Sequence, residues 1–219
     1  MTDNFDLIKE YIRECDPDFD KNDDKFYMVE IRQRKKDNPG DKTIKSQRTI
    51  KMYYMNKIAD FDNLKNEIIL MCEMFKARAY VSVNCKSYEQ TSKAMMVELA
   101  TRIANGEYRK PQAICQSCAA KCVNSRDKRW MIDCDKEDAD ALHITIDEYV
   151  NFLTECIAQC KPDCGKIIKI IPSTSGKHII CRPFDVKQFS NELSEYYTFS
   201  GCADMIKKNG QGTILYSQK

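Results

Sequence analysis

Asp133 and Asp135 close the run Arg129-Trp130-Met131-Ile132-Asp133-Cys134-Asp135. Its three large apolar residues read as a buried strand, and in a strand residues i and i+2 point to one face. Two carboxylates side by side are costly to keep ionised unless a cation lies between them. Such a pair is how enzymes of phosphoryl chemistry hold Mg²⁺ or Mn²⁺. The plain alternative is a solvated strand end, because Asp-x-Asp is a short pattern.

The elements that must position this pair can be read around it. Trp130–Asp135 is a strand, and Thr145-x-x-Glu148 is a capping box that opens a helix through about Cys160. Lys166–Pro172 reads as a strand, Ser173–Gly176 as a turn and Lys177–Arg182 as a further strand. Asp185 caps a helix through about Tyr196, and a final strand falls within Ala203–Tyr216. The order β-α-β-β-α-β is the ferredoxin-like unit, with the first and third strands central and the fourth beside the first. In that topology His178 starts the third strand and Asp204 the fourth, both beside Asp133 and Asp135. His178, Ile180 and Arg182 then share a face. Acids turned toward the helices instead would be buried and unpaired, which is unfavourable. The alternative for His178 is a satisfied core histidine.

The first half is expected to form an α/β lobe. Residues 4–15 read as an amphipathic helix, Phe26–Arg34 and Thr49–Met55 as strands, and Asp62 as the cap of a helix to about Lys76. Arg78–Asn84 alternates as a strand. Ser87-x-x-Gln90 opens a helix to about Gly106, with Met95, Met96, Leu99 and Ile103 expected on its core side. Residues 110–128 read as an irregular, cysteine-rich insert. The resulting division is 1–128 for the N-terminal α/β lobe and 129–219 for the second unit, the two forming one integrated core.

Composition narrows the class. The chain has 219 residues, 42% hydrophobic and 31% charged, with a formal net charge of +2. It is long enough for a substantial core. No apolar run approaches a membrane span, and the N-terminus lacks a signal-peptide pattern, so a cytoplasmic protein without membrane contact is expected. Residues 1–24 hold nine acids and three bases, whereas 25–57 hold ten bases and three acids. A basic segment beside an acidic arm suits a polyanion, the alternative being a solvated charged surface. Tyr53, Tyr54 and Tyr80 near it are candidates for base stacking or for core packing. The twelve cysteines are expected to be reduced thiols. Cys115, Cys118 and Cys122 are candidate zinc ligands, although structural zinc usually takes two close pairs.

Three of these stretches carry a resemblance to a known family. Trp130-Met-Ile-Asp133-Cys-Asp135 resembles the hydrophobic-Asp-x-Asp first motif of the archaeo-eukaryotic primase superfamily, which includes the primase–polymerases. Ser175-Gly-Lys-His178-Ile-Ile is similar to its second motif. Ala203-Asp204-Met-Ile-Lys207-Lys-Asn209, leading to Leu215-Tyr216, is similar to its third. The matched region spans about residues 129–217. Residues 78–84 are similar to a strand of the N-terminal lobe in small phage-type relatives.

The resemblance implies an α+β primase catalytic core, an N-terminal α/β lobe packed on an RRM-like unit. It implies that Asp133, Asp135 and Asp204 hold Mg²⁺ or Mn²⁺. Ser175, Lys177, His178, Arg182 and Lys207 would contact the triphosphate of an incoming nucleotide, although strand alternation turns Lys177 to the other face. The implied partners are nucleoside triphosphates, a single-stranded or primed DNA or RNA template, and a separate helicase. Two positions depart from the pattern: Gly176 stands where the family carries a serine two residues before the histidine, and Ile214 stands where it carries an arginine before Leu-Tyr. Three functions follow as expectations: a template-dependent nucleotidyltransferase, a non-catalytic nucleic-acid or nucleotide-binding accessory protein of replication, and a metal-dependent nuclease.

Overall fold

The computed structural model describes residues 1–109, 112–122, 128–196, 205–208 and 212–218. In chain order the first elements are β1 (Thr2–Asp3), α1 (Phe5–Cys15), β2 (Lys25–Arg34), β3 (Gln47–Met55), α2 (Ile58–Met74) and β4 (Arg78–Ser82). Next come β5 (Lys86–Ser87), α3 (Tyr88–Ala104), α4 (Gln112–Lys121), β6 (Trp130–Asp135), α5 (Lys136–Ala141) and α6 (Ile146–Gln159). The chain ends with β7 (Ile167–Pro172), β8 (Gly176–Cys181), α7 (Val186–Tyr196), β9 (Ile206–Lys207) and β10 (Gly212–Ser217).

The fold is α+β, built on two antiparallel sheets. The larger runs β1-β10-β4-β2-β3, with β5 also paired to β2, and the smaller runs β7-β8-β6-β9. The smaller sheet thus has its first and third strands central and its fourth beside the first, as the β-α-β-β-α-β order required. The fourth strand is only two residues long. The Leu215-Tyr216 segment, read from sequence within the same closing strand, instead forms β10, which pairs with β4 and β1 in the larger sheet. Leu215 and Tyr216 are buried in that lobe, and Tyr216 Oη donates to Glu73 at 3.1 Å. A buried apolar strand satisfies its backbone equally well in either sheet, so sequence pattern does not choose between them.

Local signals explain most elements. In α1 the buried Phe5, Ile8, Tyr11 and Ile12 form one helical stripe. In α6 the stripe is Tyr149, Val150, Leu153, Cys156 and Ile157, opened by the reciprocal Thr145–Glu148 capping box. Asp185 accepts from the backbone N–H groups of Lys187 and Gln188 at the start of α7. Three expectations are corrected and one element is added. Asp62 lies inside α2, whose entry is held by Asp60 accepting from Asn56 and Lys57 N–H. The segment read as an irregular insert contains α4. The short α5 directly after β6 carried no sequence signal of its own. Finally, Met96, Leu99 and Ile103 of α3 are 74%, 44% and 53% exposed rather than core-facing. Helical spacing shows that they share a face, not what covers it.

The two lobes share packing. Ile132, Cys134, Ile179 and Cys181 face α6 and α7 in one apolar cluster. The alternate residues Met131 and Ile180, with Ile171, pack into the cluster of the larger sheet with Val81 and Leu215. Asn4 ties the seam by donating to Pro172 O and Ile214 O at 2.8 and 2.9 Å. Arg129, just before β6, is buried and donates to Asp16 at 2.9 Å, Tyr11 Oη at 3.2 Å, Tyr27 Oη at 3.1 Å and Cys15 O at 3.2 Å. Asn84 accepts from Arg129 N and donates to Arg129 O. This network joins α1, β2 and the entry of β6, and it leaves the guanidinium dependent on one carboxylate. Asp16→Ala should therefore cost about 3–5 kcal/mol in urea unfolding, because it strands a buried cation.

Candidate functional site

The unshared part of the seam opens as a cleft of about 270 Å³ between the sheets. The smaller sheet contributes Asp133, Asp135, Ser175, His178 and Lys207, and the larger contributes Arg32, Arg34, Arg78 and Tyr80. Lys36, just after β2, joins them. The carboxylates reach the cleft because Ile132 and Cys134 of β6 are committed to the helices. Strand alternation then turns Asp133 and Asp135 the other way.

Asp133 and His178 are directly opposite in the β6–β8 register. His178 Nε2 lies 3.3 Å from Asp133 Oδ1, and its Nδ1 lies 2.7 Å from Thr213 Oγ1 of β10. A carboxylate can only accept, so Nε2 carries the hydrogen of the first contact. In the neutral ring, Nδ1 then accepts from the Thr213 hydroxyl. A residue of the larger sheet thus sets the tautomer of a histidine on the smaller one. Ser175 Oγ donates to Asp135 Oδ1 at 3.3 Å.

Charge is distributed unevenly across the cleft. Burial works to raise the Asp133 carboxyl, but the His178 hydrogen bond and the electrostatic pull of His178, Lys207 and Arg34 outweigh it and hold Asp133 below its ordinary value. Asp138 on α5 moves the opposite way, raised by burial and by the negative charges of Asp135 and Asp133. The acid pair therefore presents an uncompensated negative field on its α5 side and faces cations on the other. Arg32 pairs with Glu30 and lies over the Tyr80 ring, with its guanidinium carbon 5.0 Å from the centroid. Among the described residues its buried Nε meets no hydrogen-bond partner, and neither does Thr174 Oγ1 on the opposite rim. Arg34 Nη1 reaches Tyr80 Oη at 3.5 Å, and Arg78 is held by Asp37 through two bonds of 2.7 and 2.6 Å.

Of the residues proposed from sequence, the fold gathers Asp133, Asp135, Ser175, His178 and Lys207. Lys177 is not gathered: it points to the helix side of β8 and pairs with Asp147 of α6. Nor is Arg182, four residues and roughly 13 Å beyond His178 along the strand, where it lines a separate cavity with Glu14 and Lys128. Asp204 lies outside the described residues. The candidate zinc cysteines lie along α4 and just past its end, close enough for Cys122 and Cys115 to act on Cys118. Cys115 Sγ contacts Tyr54 Oη at 3.3 Å, Cys118 is buried, and Cys122 donates to Gln90 O at 3.5 Å. Among the described residues no three His, Cys, Asp or Glu side chains are grouped to hold a metal. Tyr80 is in the cleft, whereas Tyr53 is buried against Glu67.

Sequence reasoning missed Arg32, Arg34, Lys36 and Arg78. Part of the signal was present: Arg32 and Arg34 stand two residues apart in a strand, the spacing that placed the two acids on one face, and Lys36 follows in the turn beyond it. No helix among the described residues is long and apolar enough to cross a membrane. Comparison of the chain with family models, with curated proteins and with solved structures found no match.

Position 176 has no room for a side chain. A Cβ at this position would lie 1.9 Å from Cys134 O, because β8 enters the sheet hard against β6. Gly176→Ala should push the strands apart beside Asp135 and lower the unfolding free energy by about 1–3 kcal/mol or more, read as a shifted urea midpoint.

Proposed function

We propose that this protein is a template-dependent nucleotidyltransferase of the primase–polymerase kind, extending or initiating a primer. The observation that carries this reading is the cleft itself. Two carboxylates on one strand share a cleft with arginines of the second sheet and with Lys36 and Lys207. The donor set fits a hard divalent ion. Mg²⁺ is commonly bound by one or two carboxylates plus substrate phosphates and water, rather than by an all-protein cage. Asp133 and Asp135 would hold it, with Asp204 as the expected third ligand. When bound, such ions activate a primer 3′-hydroxyl and stabilise in-line displacement at the α-phosphate with release of pyrophosphate.

The chain's own residues account for the rest. Asp133 remains ionised against its burial, ready to bind a cation. Arg34 and Lys207, which already lower it, stand where the phosphates would lie, and guanidinium groups bind phosphate bidentately. The Nε of Arg32 and the hydroxyl of Thr174, which meet no partner among the described residues, are donors available to the same oxygens. His178, oriented by Thr213, can turn its Nε2–H from Asp133 to a phosphate oxygen once a cation takes that carboxylate. Ser175 supplies the hydroxyl that position 176 has no room to carry. Arg32, Arg34 and Arg78 supply the guanidinium that Ile214 lacks.

Incubation of labelled primer–template with nucleotides and Mn²⁺ or Mg²⁺ separates the three readings. Extension supports a nucleotidyltransferase, shortening a nuclease, and retention without either an accessory binding protein. Asp133→Ala combined with Asp135→Ala should abolish extension, and full activity in that double variant would sink the proposed site. Arg34→Ala should raise KM for the nucleotide about tenfold or more, the scale of one hydrogen bond to a charged group, with a smaller change in kcat.

A further inference from the structure

A second cavity, of about 220 Å³, lies where β5 and the start of α3 meet Asp16, Lys25 and Cys122. Nearly every charge around it is matched. Asp16 is 2.9 Å from Arg129 and 4.0 Å from Lys25. Asp24 accepts from Glu89 N at 2.7 Å and from Ser87 Oγ at 2.6 Å, and Glu89 pairs with Lys93. Lys86 is the exception. It lines the cavity, is 3% exposed, and makes no side-chain hydrogen bond or ion pair among the described residues. The ionisable groups that act on it are thiols. Cys122 donates to Gln90 O at 3.5 Å, and Cys85 donates to Phe26 O at 3.7 Å. Burial pushes the Lys86 amine down to about 8, opposed by Cys122 and Cys85. Burial also pushes the Cys85 thiol up to about 12, so it stays protonated and does not compete as a nucleophile.

An unpaired ammonium is expensive to bury, whereas a neutral amine with its lone pair open to a cavity is a nucleophile. We propose that Lys86 is a covalent site for a small aldehyde, held in this cavity as an imine. The amine lone pair forms the N–C bond to the carbonyl carbon. The C–O bond then breaks, and the oxygen departs as water with both amine hydrogens. No oxidant or reductant is needed. The cavity has room for a small aldehyde, and the low exposure of Lys86 keeps bulk water from hydrolysing the adduct freely. This site is independent of the cleft between the sheets.

The test is limiting propionaldehyde with cyanoborohydride on the purified full chain, followed by mass mapping of every lysine. At pH 7.5 Lys86 should be alkylated at least about tenfold faster than exposed lysines such as Lys93, since those are almost wholly protonated there. Its rate should reach half-maximum near pH 8, and its selectivity should vanish in urea. Lys86→Met, which keeps the volume of the side chain without a charge, should remove the fast adduct, and the wild-type map decides the matter even if that variant fails to fold. Labelling of Lys86 no faster than that of exposed lysines, or a labelling rate that rises with theirs only above about pH 10, would overturn the proposal.

Discussion

Every other residue of β6 belongs to a different core. Ile132 and Cys134 are sealed against the helices of the smaller lobe, and Met131 is sealed against the larger sheet. A strand buried on both sides can carry charge only where the second sheet stops covering it. That occurs at its C-terminal end, at Asp133 and Asp135. The cleft follows from this constraint. Met131, Ile171 and Ile180 glue the sheets along one part of the seam, and the polar remainder of the same faces is left open to ligand and solvent.

The open part of the seam is electrostatically divided. Asp133 stays ionised because His178, Lys207 and Arg34 stabilise its charge more than burial opposes it. Asp138 feels the residual negative field from the other side. The cations come mostly from β2 and β4, elements far from β6 in the chain, and several are already positioned by protein partners: Arg78 by Asp37, and Arg32 by Glu30 and the Tyr80 ring. Cations already held in place lose little freedom when an anion binds them, which is the physical basis of preorganisation. Thr213 extends the same logic, since a strand of one lobe fixes the ring of a histidine in the other.

The last strand makes the two lobes interdependent. β9 closes the smaller sheet with only two residues, and the chain then crosses to insert β10 between β1 and β4. That insertion brings Thr213 to His178 and Ile214 to the cleft, and Gly212 permits it: a Cβ there would stand 2.6 Å from Val81 O. The acids, the histidine and the arginines thus come to one place only when both sheets are complete.

The sequence by itself determined the pattern along each element. The strand alternation of β6 and β8, the capping box of α6 and the order of the second half were sufficient to place Asp133, Asp135 and His178 on one edge, because backbone periods of 2.0 and 3.6 are local properties. It also held, unread, the two-residue spacing of Arg32 and Arg34. Tertiary structure decided what each face meets. It left the apolar stripe of α3 open, sent Leu215-Tyr216 to the larger sheet, turned Lys177 to Asp147, and left Arg182 at the far end of its strand. Those outcomes depend on contacts between segments up to 210 residues apart, such as Asn4 with Ile214 O, and the periodicity of a single segment carries no information about which distant surface will cover it.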